Sequence, residues 1–374
     1  MATTATALVQ TAPFKQEFRE IPLPVLGEGA GLLRVEANGI CGTDVESFAG
    51  VASANPMDGS DPYPRILGHE IVGVIEDLGP NPPNGITVGD RVAVNPFIAC
   101  GHCRVCLRGD SHMCRNHAWA PALYGFLPLY RGAGLWGGYS THAYLDPRTV
   151  LYKLPSTIDP VTATLYNPLA NAMSWAVLTP ELKVGDSIAI LGSGQRGIAC
   201  VIAARHAGAG LVLSTGLSND AHKLALAREF GADVTVDVEQ ESLIDRAMEA
   251  TGGRGFDVVV DTTPRALQPL RDGLAILRSG GTLVHAGIKA AVMDEFPVDL
   301  MLYKGLRMIG AASQGNEAYQ RACDFLATSD VPLERMRTHT FGFDQFELAL
   351  DTLQGKVEGA NAVSIAVTPT FSAT

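Results

Sequence analysis

Apolar and polar positions divide this chain into two textures. In the first, apolar runs are short and broken by glycines. PRILGHEIVGVIEDLG (residues 64–79) reads as a strand entered through a turn at Gly68, which leaves His69 and Glu70 at an element boundary. In the second, DSIAILGSGQRGIACVIAARHAGAGLVLSTG (186–216) runs as apolar strand, glycine turn, amphipathic helix and second strand. VTV at 234–236, a helix over about 242–251, FDVVVD at 256–261, a helix over about 266–278, GTLVHAG at 281–287 and LRMIGAA at 306–312 continue the alternation. Strands alternating with helices of this length predict an α/β fold with a doubly wound parallel sheet.

Length and charge narrow the picture. A chain of 374 residues exceeds one ordinary core, so two domains are expected. The formal charge of -11 argues against a nucleic-acid partner, because phosphate binding needs a basic surface. No apolar run approaches the roughly 18 residues of a membrane span. The start, MATTATALVQTAPFKQEF, lacks the layout of a secretory signal, and the cysteines are spaced for metal rather than disulfides. The chain is therefore expected to be cytoplasmic and reduced.

Four of the seven cysteines lie in ACGHCRVCLRGDSHMC (99–114), as Cys100-x2-Cys103-x2-Cys106-x7-Cys114. Thiolates at this spacing can converge on one tetrahedral zinc ion. An iron–sulfur cluster also takes four cysteines, but its common run ends Cys-x3-Cys-Pro, and here Arg115 follows Cys114. Four protein ligands leave no open position, so this metal is structural and the chemistry lies elsewhere. His102 and His112, inside the cluster, read as loop residues. Cys200 and Cys323, outside it, read as buried thiols in helices.

A working metal would need an open site. Cys41, His69 and Glu70 make a mixed sulfur, nitrogen and oxygen set suited to zinc with room for an exogenous ligand. Taken alone, such scattered residues are more often a buried thiol and two satisfied polar groups than a metal site. Gly192-x-Gly194-x-x-Gly197 follows a strand and opens a helix, the context a dinucleotide motif requires. Free N–H groups at that helix start would hold the phosphates. The rule of an acidic residue about 20 positions on, for the ribose 2′-hydroxyl of NAD, finds Gly216 at the strand end. Asp220 either reaches back to the ribose or caps the next helix, while His222 and Lys223 offer charge to a 2′-phosphate. NAD is read in preference to NADP.

GHEIVG at 68–73, VGDRV at 88–92, the four-cysteine lobe and GSGQRG at 192–197 together resemble the zinc-dependent medium-chain dehydrogenase/reductase superfamily, in the branches of the sorbitol, threonine and glucose dehydrogenases. The order and spacing match over essentially the whole chain. The resemblance implies a GroES-like, partly β-barrel catalytic domain over 1–163 and 312–374, a Rossmann domain over 164–311, and an active cleft between them. It implies one catalytic and one structural zinc: Cys41 and His69 at the first, with Glu70 either coordinating directly or standing just behind the ligands, and Cys100, Cys103, Cys106 and Cys114 at the second. Thr43 would bond the substrate alcohol, touch the cofactor and start a proton relay, with Asp44 orienting His69. Gln195, Arg196, Gly287 and Ile288 would join Gly192, Gly194, Gly197, Gly216 and Asp220 at the dinucleotide. A homo-oligomer, dimer or tetramer, is implied too.

Three departures from the family pattern stand out. LYNPLANAMSW places Asn167 where relatives carry a third metal ligand, and an amide oxygen is a poor substitute for carboxylate or thiolate. Glu46 occupies a relay position often held by His, either as a relay or as a surface carboxylate. The loop HAWAPALYGFLPLYRGAGLWGG (117–138) is unusually aromatic, so Trp119, Tyr124, Phe126 and Trp136, with Trp175, either line an apolar substrate pocket or cover a subunit contact. The implied reaction is reversible hydride transfer between a small-molecule alcohol, secondary or polyol, and NAD(P). Two rivals are a zinc-independent NADPH reductase of activated double bonds on the same fold and a catalytically degenerate dinucleotide-binding protein.

Overall fold

The computed structural model describes residues 3–51, 61–83, 85–116 and 122–371. The chain forms two compact units: Met1–Asn167 with Gly315–Thr374, and Pro168–Gln314.

In the first unit, alternating apolar residues build two sheets. Thr4–Ala12 pairs antiparallel with Lys15–Pro22 and with the short strand Arg65–Ile66. A larger sheet is centred on Gly31–Ile40, which pairs antiparallel with Glu70–Leu78, with His142–Leu145 and with the late strand Ser364–Thr368. Glu70–Leu78 continues to Arg91–Ile98, and that strand to Thr149–Leu154. Two apolar clusters fill this unit, one around Ile40, Ile66, Tyr139 and Phe346, the other around Leu33, Val92, Tyr124 and Trp136. The short helix Gly42–Phe48 leaves the end of the central strand, with Cys41 as its N-cap residue.

The second unit is a six-stranded, wholly parallel sheet. Numbered in chain order its strands run 3-2-1-4-5-6, which is the Rossmann order. Its strands read as near-continuous apolar runs because both faces are covered; Val258, Val259 and Val260 are all buried. The helix expected to about residue 278 stops at Ile276, where the chain passes directly into strand Leu277–His285. Helix Gln195–His206 starts at the glycine turn and is buried along most of its length. It packs so tightly that a Cβ on Gly197 would overlap the Gly192 carbonyl oxygen. Cys200 on this helix is a buried thiol, pushed up to about 12 by desolvation.

Gly197→Ala is therefore expected to cost about 3 kcal/mol or more, the upper end for overpacking a packed core, because the clash is with backbone. Gly194→Ala, whose added Cβ meets nothing within 4 Å, should cost less than about 1 kcal/mol. Urea denaturation followed by circular dichroism compares the two.

Candidate active site

Register brings the first site together. Gly39 lies opposite Glu70 in the antiparallel pair, so Cys41, just past the end of one strand, meets His69 and Glu70 at the start of the other. All three are buried, and one ligand atom from each lies within 4.8 Å of the others. Gly39 makes room for this, since a Cβ there would overlap Glu70 Oε2.

Hydrogen bonds hold the set in place. The Cys41 N–H donates to Asp44 Oδ2 at 2.8 Å, and Asp44 Oδ1 lies 3.5 Å from His69 Nδ1. One carboxylate thus braces both residues and turns His69 Nε2 toward the cysteine side. There the Thr43 hydroxyl donates to Cys41 Sγ at 3.0 Å and lies 3.4 Å from Nε2. Burial lowers the His69 pKa, but Asp44 and then Cys41 outweigh it, and the ring stands well above the ordinary histidine value. A buried cluster that stabilises positive charge on its imidazole, with thiol, imidazole and carboxylate donors converging, fits a zinc ion with an open position.

Asn167 does not point an oxygen into this set. Its Nδ2 donates to Glu70 Oε1 at 3.1 Å, and its Oδ1 accepts from the Tyr319 hydroxyl at 3.2 Å. Sequence spacing offered no signal for Tyr319, which lies 152 positions away. Glu46 is half-buried on the helix that carries Thr43.

The aromatic loop divides. Tyr124 and Trp136 are fully buried within the first unit's own core, so neither lines a pocket nor covers a subunit contact. Phe126 does reach the cluster, its ring centroid 5.7 Å from that of His69. Trp119 lies outside the described residues. In the second unit, Trp175 donates from its indole to the Ser313 carbonyl and lies beneath the Arg196 guanidinium.

Cys100, Cys103, Cys106 and Cys114 converge as a second group. Their sulfurs are 3.8 Å apart for Cys100–Cys106, 3.4 Å for Cys103–Cys106 and 3.9 Å for Cys103–Cys114. Tetrahedral zinc with thiolates at about 2.3 Å separates its sulfurs by about 3.8 Å, so the four fit that ion. Neither histidine takes part. The His102 ring bonds the Cys100 carbonyl, and His112 packs edge-on against Phe97.

At the glycine turn of the second unit, the Gly192 N–H donates to Thr215 Oγ1, and Gln195 and Arg196 stand in the first turn of the helix. Asp220 is engaged locally: it accepts from the Leu217 N–H at 3.3 Å and pairs with Lys223 at 2.7 Å. Asp237, opposite Gly216 in the next strand, accepts from the Ser218 hydroxyl, and Glu239 accepts from the Ser218 N–H, both at 2.8 Å. The Gly287 N–H donates to the Asp261 carbonyl, and Ile288 is exposed beyond it. Lys289 and Asp261, both buried, pair at 2.7 Å, and Lys289 also donates to Thr263 Oγ1, stitching the loops after two strands together. Sequence reasoning missed this pair.

Comparison with known proteins places this geometry. Residues 27–156 match the alcohol dehydrogenase GroES-like domain, and residues 197–328 match the zinc-binding dehydrogenase family. A Mycobacterium tuberculosis protein named probable alcohol dehydrogenase is 38% identical over 97% of this chain and 98% of its own length. An L-threonine 3-dehydrogenase of a Marinomonas species is 30% identical over 91% of this chain and 93% of its own. The crystal structure of an alcohol dehydrogenase from Thermotoga maritima superposes with a TM-score of 0.86 at 26% identity, covering 99% of this chain and all of that one. The chain belongs to the zinc-dependent medium-chain dehydrogenase/reductase superfamily, the superfamily of the alcohol dehydrogenases.

Proposed function

We propose that the chain oxidises a secondary alcohol or polyol reversibly, with NAD in preference to NADP, at a zinc site made by Cys41, His69 and Glu70. The observation that carries this reading is the buried convergence of those three donors beside the Thr43 hydroxyl. Zinc, when bound, supplies Lewis-acid polarisation of the alcohol oxygen, and the dinucleotide accepts the hydride. The chain's own residues orient the groups and move the proton. Asp44 holds the Cys41 backbone and His69 Nδ1, so thiolate and Nε2 stay aimed at one point. The Thr43 hydroxyl lies against both and is placed to bond the substrate hydroxyl and take over its proton. Glu46, three residues on along the same helix, stands on the same side and passes the proton to water. The Phe126 ring beside His69 gives the site an apolar side.

For the cofactor, Gly192, Gly194, Gln195, Arg196 and Gly197 offer the pyrophosphate a glycine turn and a helix start. Gly287 and Ile288 offer an edge to the nicotinamide half. Lys223 is paired with Asp220, which offsets the charge it would offer a 2′-phosphate. Asp237 and Glu239 then place two carboxylates at the turn after Gly216, where a 2′-phosphate would meet like charge.

We further propose a homo-oligomer in a reducing, cytoplasmic setting. Strand Arg307–Gly310 ends the parallel sheet, and Val298, Leu302 and Tyr303 stand exposed on the helix before it, an open edge beside an apolar face that suits a second copy. None of the seven cysteines forms a disulfide, and no described helix is long and apolar enough to cross a membrane.

Metal analysis tests the site: the protein should carry two zinc ions per chain, and Cys41→Ser should carry one. Alcohol-dependent NAD reduction by Cys41→Ser should fall at least about 100-fold, as expected when several kcal/mol of charge stabilisation is removed. Full activity in a metal-free Cys41→Ser site would overturn the reading. The double variant Asp237→Asn/Glu239→Gln should raise kcat/KM for NADP relative to NAD by about 5-fold, from roughly 1 kcal/mol of relieved repulsion. An unchanged ratio would remove these carboxylates from cofactor choice. In sedimentation velocity, Leu302→Glu should shift the protein toward monomer while the unaltered chain sediments as a dimer or tetramer.

A further inference from the structure

Asn167 occupies the place of a metal ligand, yet both ends of its amide are directed elsewhere. A carboxamide has one acceptor oxygen and one NH2 donor. Here the oxygen accepts from the Tyr319 hydroxyl, and the NH2 faces the Glu70 carboxylate. The reverse orientation would set the amide oxygen against an anionic carboxylate, so the two partners together decide which way the amide points. Asn167, Glu70 and Tyr319 are all buried, where a hydrogen bond to a charged acceptor is strong and its loss costly.

Tyr319 is itself held. Its ring stacks on Tyr152 at 5.5 Å with 22° between planes and leans on Tyr166 at 6.0 Å. It rides on helix Asn316–Thr328, one turn from the helix start. At that start, the Asn316 N–H donates to the Gly109 carbonyl at 2.8 Å. Asn316 Oδ1 accepts from Ser111 Oγ at 2.6 Å and from Asn95 Nδ2 at 3.1 Å. Gly109 and Ser111 lie in the loop between Cys106 and Cys114.

We propose that Asn167 is a positioning residue that holds Glu70 for the open metal site, oriented by Tyr319, and that the four-cysteine loop secures this arrangement through Asn316. The inference rests on the reading of Glu70 as a metal ligand given above. The closed metal site thereby sets the third donor of the open one, without touching substrate.

The test reads zinc retention rather than turnover. Full-length protein loaded with zinc is dialysed against graded concentrations of a chelator, and zinc per chain is counted. The four-thiolate ion remains in every variant, so losses are read on the second ion. Asn167→Leu should release that ion at about 10- to 100-fold lower chelator, the usual cost of losing a hydrogen bond to a metal-binding side chain. Tyr319→Phe, a milder change that keeps the ring packing, should move it in the same direction by less, as should Asn316→Ala. Glu70→Gln should release it readily, and Glu70→Gln/Asn167→Leu should be no worse than Glu70→Gln alone. Unchanged retention in Asn167→Leu, or losses that multiply in the double variant, would overturn the positioning role. Unchanged retention in Asn316→Ala would overturn the link to the cysteine loop. Wild-type retention in Glu70→Gln would instead sink the ligand assignment on which the inference rests.

Discussion

The antiparallel register of Gly31–Ile40 with Glu70–Leu78 is the constraint from which the site follows. Gly39 opposite Glu70 places the end of one strand against the beginning of the other, and the three donors are then neighbours by construction. Strand side chains alternate faces, so a slip of one residue would turn Glu70 away from Cys41. The missing Cβ at Gly39 is part of the same constraint, because the carboxylate occupies the space it would need.

Bringing a thiol, an imidazole and two carboxylates into a dry interior is costly unless each charge has a partner. Asp44 spends its oxygens on the Cys41 N–H and on His69. Glu70 has Asn167, and its charge also acts on the buried Arg337. Burial lowers that guanidinium to about 10, while Glu70 and then Asp159 pull it upward. Arg337 in turn bonds Ser364 and Thr164, so the late strand is tied into the network that faces the metal donors. Neutralising one residue leaves a neighbour buried and charged, which is why the site behaves as a unit. The parallel sheet obeys a simpler rule. Its glycine turn, the close approach at Gly197 and the carboxyl ends of its strands form one edge, and Lys289 and Asp261 stiffen the loops there.

Much of this was legible because it is local. Four thiolates at x2, x2 and x7 can reach one ion whatever surrounds them, and an apolar strand followed by GxGxxG turns where the glycines permit. The aromatic loop was not legible, because composition alone does not say which rings face inward. Tyr124 and Trp136 fill the chain's own core, and Phe126 alone among the described rings of that loop reaches His69. Asp220 was ambiguous for a related reason. A short acidic side chain after a strand bonds whatever donors its turn presents, and here these are the Leu217 N–H and Lys223.

The sequence by itself determined the parallel sheet, the glycine turn and a four-cysteine spacing able to close on one ion, since residue type and short spacing decide these; Cys41, His69 and Glu70 were singled out only through the family resemblance, because residues scattered this far apart do not by themselves show that they meet. Only the tertiary structure decided what Asn167 does. Its partners come from positions 97 residues earlier and 152 residues later, and an amide is ligand or donor according to which atom those partners claim. Spacing carries no information about a hydrogen bond between segments that meet only after two sheets and a distant helix have packed.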